Sequence, residues 1–193
     1  MRPSLRRAYA VAMPLAPEYH TADMVREFPD DGNRYEVVWG ELLVTPSPAS
    51  QHQRVVARLF RRLADFCDAL GTAEAMLSPA DISWSEDTLV QPDVFVVPRS
   101  QARAKDWASK RDLLLVAEVL SPSTARQDRF AKRELYQSRR VPLVWLCDIE
   151  RAQVEVWTPD ATRPVIERER LQWHPEGARA PLIVALKALF SPD

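Results

Sequence analysis

Apolar residues recur along this chain with two different periods, and the points where the period changes divide it into elements. Residues 35–44 are two short β-rich runs about Gly40, the pattern of a hairpin that ends before Pro46. From Ser50 the spacing turns helical: Val55, Val56, Leu59, Phe60, Leu63, Phe66, Cys67 and Leu70 recur at helical intervals up to Gly71, and Ser50 with Gln53 has the spacing of a capping box. The opposite face of this helix carries Arg54, Arg58, Arg61 and Arg62, which suits either solvent or phosphate. Three β-like runs follow, residues 81–84, 90–97 and 113–120, the last apolar enough to be buried on both faces. Thr124 and Gln127 repeat the capping-box spacing and open a second helix that must stop before Pro142. Residues 141–147 and 154–157 read as a further strand pair, and a last helix is expected over 182–190. Hairpin, helix, three strands, helix, strands: this order predicts a mixed α/β (α+β) domain, a mixed β-sheet flanked by helices with an N-terminal β-hairpin.

Composition narrows the picture further. A chain of 193 residues with 46% hydrophobic content can build one well-buried core, so residues 17–193 are expected to form a single domain. Residues 1–16 show no sustained period and read as a disordered leader, with Met13 as an alternative start. Lys and Arg total 26 against 27 Asp and Glu, so any surface for phosphate must be local. Cys67 and Cys147 lie in apolar runs and offer neither a disulfide framework nor a zinc site. No apolar run approaches the ~20 residues needed to span a bilayer, so a cytoplasmic protein without a membrane partner is expected.

Chemistry enters where charge interrupts apolar strands. Asp93 stands at the mouth of the run 94–97, and Glu118 lies near the far end of the run 113–120. Burying either carboxylate costs several kcal/mol unless it is paired or bound to a cation. On neighbouring strands the two side chains can share a face, because side chains alternate with period two. Two converging carboxylates form a hard-oxygen site suited to Mg²⁺ or Mn²⁺. For each acid alone, a structural role is the simpler reading. Asp128, Lys132 and Tyr136 recur every four residues and so share one helical face, on which Lys132 can form a surface pair with Asp128.

An ordered set of motifs carries a resemblance: Arg34-Tyr35-Glu36 with Gly40-Glu41-Leu42, Pro46-Ser47-Pro48 leading to His52, Gln91-Pro92-Asp93, Glu118-Val119-Leu120-Ser121-Pro122-Ser123-Thr124, then Asp128, Lys132 and Tyr136, and Val141-Pro142 with Asp148. In these the chain resembles the PD-(D/E)XK nuclease superfamily and, within it, the bacterial branch of restriction-endonuclease-like proteins called the Uma-two family. The resemblance covers roughly residues 19–159 and implies a Mg²⁺-dependent endonuclease hydrolysing DNA, with Asp93 and Glu118 as metal ligands. It also implies a further acid from the N-terminal region, for which Glu41 and Glu36 both stand open. In the superfamily's usual pattern a lysine lies two residues after the glutamate. Leu120 stands there, and the resemblance implies that Lys132 on the next helix has taken the lysine's role.

On this reading Lys132 orients the attacking water, Tyr136 and Gln91 support the acids, and His52 meets a phosphate or moves a proton. The rival is a catalytically silent nuclease fold that binds DNA or another protein, although carboxylates facing a polyanion gain a pure binder nothing. A hydrolase acting on something other than nucleic acid is a third reading. A homodimer suits a cut through both strands of a duplex.

Overall fold

The structure, a computed structural model, describes residues 18–122 and 125–191. The expected leader and the expected Thr124 cap lie outside the described residues. The chain begins with α1 (Ala22–Arg26), the hairpin β1 (Arg34–Val38) and β2 (Glu41–Thr45), and the long helix α2 (Ser50–Leu70). Next come β3 (Ala73–Leu77), β4 (Thr88–Leu89), β5 (Val94–Pro98), α3 (Arg99–Ala102) and β6 (Leu115–Leu120). A helical crossover follows, made of α4 (Ala125–Gln127), a π turn over Asp128–Lys132 and α5 (Arg133–Ser138). The chain closes through β7 (Val144–Asp148), β8 (Gln153–Trp157), β9 (Val165–Glu167), β10 (Arg170–Trp173), β11 (Leu182–Ala185) and α6 (Leu186–Phe190).

The main sheet has six strands in the order β3-β5-β6-β7-β8-β9, with β2-β1-β4 and β10-β11 as smaller sheets. Only β6 and β7 run parallel within it, joined by the crossover, so this helix is obliged to pack back across β6. The mixed sheet flanked by helices, with an N-terminal hairpin, is the expected class. Alternation along β6 assigns its two faces. Leu115, Ala117 and Val119 pack with Val55, Leu59 and Leu63 of α2, while Val116 and Leu120 pack with Leu135 and Tyr136 of α5. Glu118 is in step with the second set.

The elements depart from the expected ones where tertiary pairing outweighs local signals. Ser50 is the first residue of α2 rather than its cap; Ala49 occupies the cap position and makes no side-chain bond. The far end is as expected, since Gly71 stops the helix at φ 76°, a left-handed conformation that glycine adopts without steric cost. The run 90–97 is not one strand. Pro92 has no N–H to offer a ladder, and the chain leaves the hairpin sheet after β4 before joining the main sheet at β5. Residues 81–84 contribute a single bridge, Ile82 to Val90. With two alanines and a glutamate among its five residues, β3 carries a weak strand signal but pairs along its whole length with β5. The helix expected over 182–190 splits, because Leu182 and Val184 are buried while Ile183 is exposed, the alternation of a strand, and only α6 is helical.

Candidate functional site

Asp93 and Glu118 meet because β5 and β6 are antiparallel neighbours. Val94 pairs with Ala117, so the next step of the register sets Asp93 beside Glu118. The backbone ties them closely: the Asp93 N–H donates to Glu118 Oε2 at 3.3 Å, and the Val119 N–H donates to Asp93 Oδ2 at 2.9 Å. Both acids are nearly sealed, at 5% and 1% exposure. The shared face expected from the sequence is present.

Three nitrogen bases answer these acids. Lys132 Nζ lies 2.7 Å from Glu118 Oε1, 2.9 Å from Glu36 Oε1 and 3.6 Å from Asp128 Oδ1. At 2% exposure it is a core lysine and not a surface partner of Asp128 alone. Arg34 donates to Asp93 Oδ1 at 3.1 Å and to the Gln91 carbonyl at the same distance. His52 Nε2 lies 3.2 Å from Asp93 Oδ2; although it stands in the first turn of α2, it is buried. Tyr136 donates its hydroxyl to Glu118 Oε1 at 2.6 Å, and the Gln91 N–H donates to Glu36 Oε1 at 2.7 Å. Asp93, Glu118, Lys132, Glu36, His52, Tyr136 and Gln91 are thus gathered in one network.

Glu41 is left out. It pairs with Val38, two residues nearer the turn than Glu36 and on the outer strand of the three-stranded sheet, so it is exposed and does not line the cavity. Of the two N-terminal acids only Glu36 reaches the others. Arg34 and Asp128 are the members that sequence reasoning did not place in the site. Alternation along β1 was the available signal for Arg34, since it faces the same way as Glu36, and the four-residue spacing to Lys132 was the signal for Asp128.

The residues of the network except Tyr136, together with Arg34 and Asp128, line a cavity of ≈ 650 Å³ that is also walled by Phe28, Ser47, Pro48 and Ser121. Its electrostatics are unbalanced. With every acid ionised, four buried acids (Glu36, Asp93, Glu118, Asp128) face two permanent cations (Arg34, Lys132), a surplus of two negative charges before His52 is considered. Burial pushes the Glu118 carboxyl up to about 8, and the neighbouring Asp93, Asp128 and Glu36 add to this against the pull of Lys132. Burial acts the same way on Asp93, but its bond to His52 and the charges of His52, Arg34 and Lys132 hold it down at about 2. Burial alone would favour a neutral Lys132; the carboxylates of Glu118, Glu36, Asp128 and Asp93 reverse this and raise its proton affinity.

Hard oxygens with surplus negative charge suit a small divalent cation. Among the described residues, no three His, Cys, Asp or Glu side chains converge as a ready-made metal cage. Two carboxylates fit a cation of the Mg²⁺ type, which keeps several waters and usually binds through one or two carboxylates plus substrate phosphate.

The sequence matches the family model Uma2, described as "Putative restriction endonuclease", over residues 17–185. Among solved structures, a putative nuclease belonging to DUF820 from Anabaena variabilis is similar to this chain, with a TM-score of 0.74 and 20% identity over 88% of this chain and 97% of that one. That likeness concerns the fold. No curated protein matches this chain.

Proposed function

This chain belongs to the Uma2 family of putative restriction endonucleases, and from that premise we propose that it is an endonuclease that hydrolyses DNA phosphodiester bonds with Mg²⁺ or Mn²⁺ held by Asp93 and Glu118. One observation carries the reading: a cavity-lining cluster of four buried acids and two permanent cations which, with every acid ionised, has a surplus of two negative charges, the charge of one divalent cation that would displace the proton Glu118 otherwise holds. When bound, such an ion supplies Lewis acidity to a phosphate oxygen and a water of lowered pKa.

The chain's own residues do the rest. Asp93 presents its carboxylate in ionised form, because His52 and Arg34 hold its proton affinity down. Lys132, kept charged by its carboxylate neighbours, orients the attacking water and offsets charge growing on the phosphate. Glu36 and Tyr136 fix the two sides of that interaction, Glu36 by accepting from Lys132 and Tyr136 by donating to Glu118. Gln91 holds Glu36 through its backbone N–H and Asp81 through its side chain. A pure binding module has no use for this arrangement, since carboxylates repel a polyanion.

The test is cleavage of plasmid DNA with and without Mg²⁺, alongside calorimetric titration with Mn²⁺. Asp93→Ala should lose most metal affinity. Lys132→Met should bind the ion but cleave roughly a hundredfold more slowly or worse, the scale of losing one transition-state contact. Equal Mn²⁺ binding by wild type and Asp93→Ala would sink the site assignment, and a wild-type rate in Lys132→Met would remove the lysine from the mechanism.

A further inference from the structure

Lys132 reaches the site from a turn that is not α-helical. In an α-helix the N–H of residue 133 bonds the carbonyl of residue 129, whereas here the Arg133 N–H turns to the carbonyls of Asp128 and Phe130, the first of them five residues back. The widened turn has a geometric use. At 3.6 residues per turn, a four-residue step overshoots a full turn by roughly 40°, so residues 128, 132 and 136 would fan out across about 80° of an ideal α-helix. A π turn takes more residues, which brings Asp128 and Lys132 closer into line with Tyr136 on one face. All three are buried.

A second pair of side chains holds this turn from behind. Arg129 donates from Nε to Glu155 Oε1 at 2.7 Å and from an amino nitrogen to Asp148 Oδ2 at 2.6 Å, spanning β8 and the end of β7. The acids it grips are themselves anchored: Glu155 accepts from Trp157 Nε1 at 3.1 Å, and Asp148 accepts from the Arg151 N–H at 3.0 Å. Arg133, one residue beyond Lys132, lies over the Trp157 ring at 4.6 Å and donates to the Arg129 carbonyl at 3.0 Å. That carbonyl is the acceptor an ordinary α-turn would have given to the Arg133 N–H. One guanidinium therefore fastens the turn to the sheet, and the other caps a carbonyl the widening has released.

We propose that Arg129 is a positioning residue: its grip on Asp148 and Glu155, with Arg133 bonded to its carbonyl, sets the π register that aims Lys132 at Glu118 and Glu36. The value of the placement to catalysis rests on the nuclease reading above. The placement itself does not, and the experiment separates the two.

The full chain is prepared as wild type, Arg129→Met and Glu155→Gln, the last removing one leg of the grip in case Arg129→Met does not fold. Amine acetylation is followed by mass spectrometry, comparing Lys132 with Lys110, a second buried lysine whose ammonium is held by the Ala104 and Asp106 carbonyls on another part of the fold. Labelling of Lys132 should rise tenfold or more in Arg129→Met and less in Glu155→Gln, with Lys110 unchanged. Hydrogen exchange should quicken over residues 125–138. DNA cleavage by Arg129→Met should lose kcat at unchanged KM. Equal acceleration at Lys110 would show general loosening and overturn the proposal, as would wild-type labelling of Lys132 in both variants. A wild-type protein that cuts no DNA, but whose Lys132 labelling responds as described, would overturn the nuclease reading and leave the positioning role standing.

Discussion

Glu118 and Asp93 lie side by side, and their surroundings drive their proton affinities apart. Glu118 is held at about 8 against an ordinary 4.5, so between those values the folded chain keeps a proton that the unfolded chain has lost. This contribution to stability is fully present below the ordinary value and is lost as pH rises through about 8. Asp93 has the opposite sign: held at about 2 against 3.8, it stabilises the fold above the ordinary value and ceases to do so as pH falls through about 2. The metal-free protein should therefore melt at progressively lower temperature between roughly pH 5 and 8. Glu118→Gln, whose amide imitates the protonated acid, should flatten that limb of the profile in scanning fluorimetry; an unchanged decline would show that another group titrates. Lys132 belongs to the same balance. Its removal leaves Glu36 and Glu118 buried without their cation, so Lys132→Met should cost about 3–5 kcal/mol in urea unfolding above about pH 8, where Glu118 is ionised, and less at lower pH, where Glu118 holds a proton. A cost independent of pH would contradict the pairing.

At the scale of elements, α2 has three distinct faces. Its apolar stripe packs on the main sheet, its first turn delivers His52 to Asp93, and its arginines divide by function. Arg58 is not a solvated residue, since it donates to the carbonyls of Leu189 and Ser191 at the end of α6. Arg54, Arg61 and Arg62 are exposed. Arg58→Ala should lose roughly 1–3 kcal/mol of stability, the scale of hydrogen bonds to a charged group. Arg54→Ala and Arg61→Ala should stay within about 0.5 kcal/mol of wild type. Chemical denaturation of the three variants checks this, and equal losses at all three positions would remove the distinction.

For the whole molecule, the site lies between units contributed from far apart in the chain: the hairpin brings Arg34 and Glu36, α2 brings His52, the main sheet brings Asp93 and Glu118, and the crossover brings Asp128 and Lys132. A divalent ion that neutralises this junction should therefore stabilise the entire fold. At a free Mn²⁺ concentration a hundredfold above its Kd, the gain is about 2.7 kcal/mol, visible as a rise in melting temperature that Asp93→Ala abolishes. Among the described residues, no helix is long and apolar enough to cross a membrane.

Period alone was enough to mark the hairpin, α2, β6, β7 and β8, because each presents one face to a core and that demand is written in every second or every third to fourth residue. The same reasoning isolated Asp93 and Glu118, since a charge inside an apolar pattern must have a partner, whereas Lys132 was singled out only through the family resemblance. Tertiary structure decided the rest. Whether Glu36 or Glu41 joins the site depends on which position of the hairpin faces the crossover, and local spacing is the same kind of signal for both. The register that sets Asp93 beside Glu118 arises from strand pairing between segments about 25 residues apart. The π turn that aims Lys132 is held by Asp148 and Glu155 on strands that follow it, so no window around Asp128 could have revealed it. Locally determined features were legible because their causes lie within a few residues, and the site's geometry was not, because its causes are contacts between distant ones.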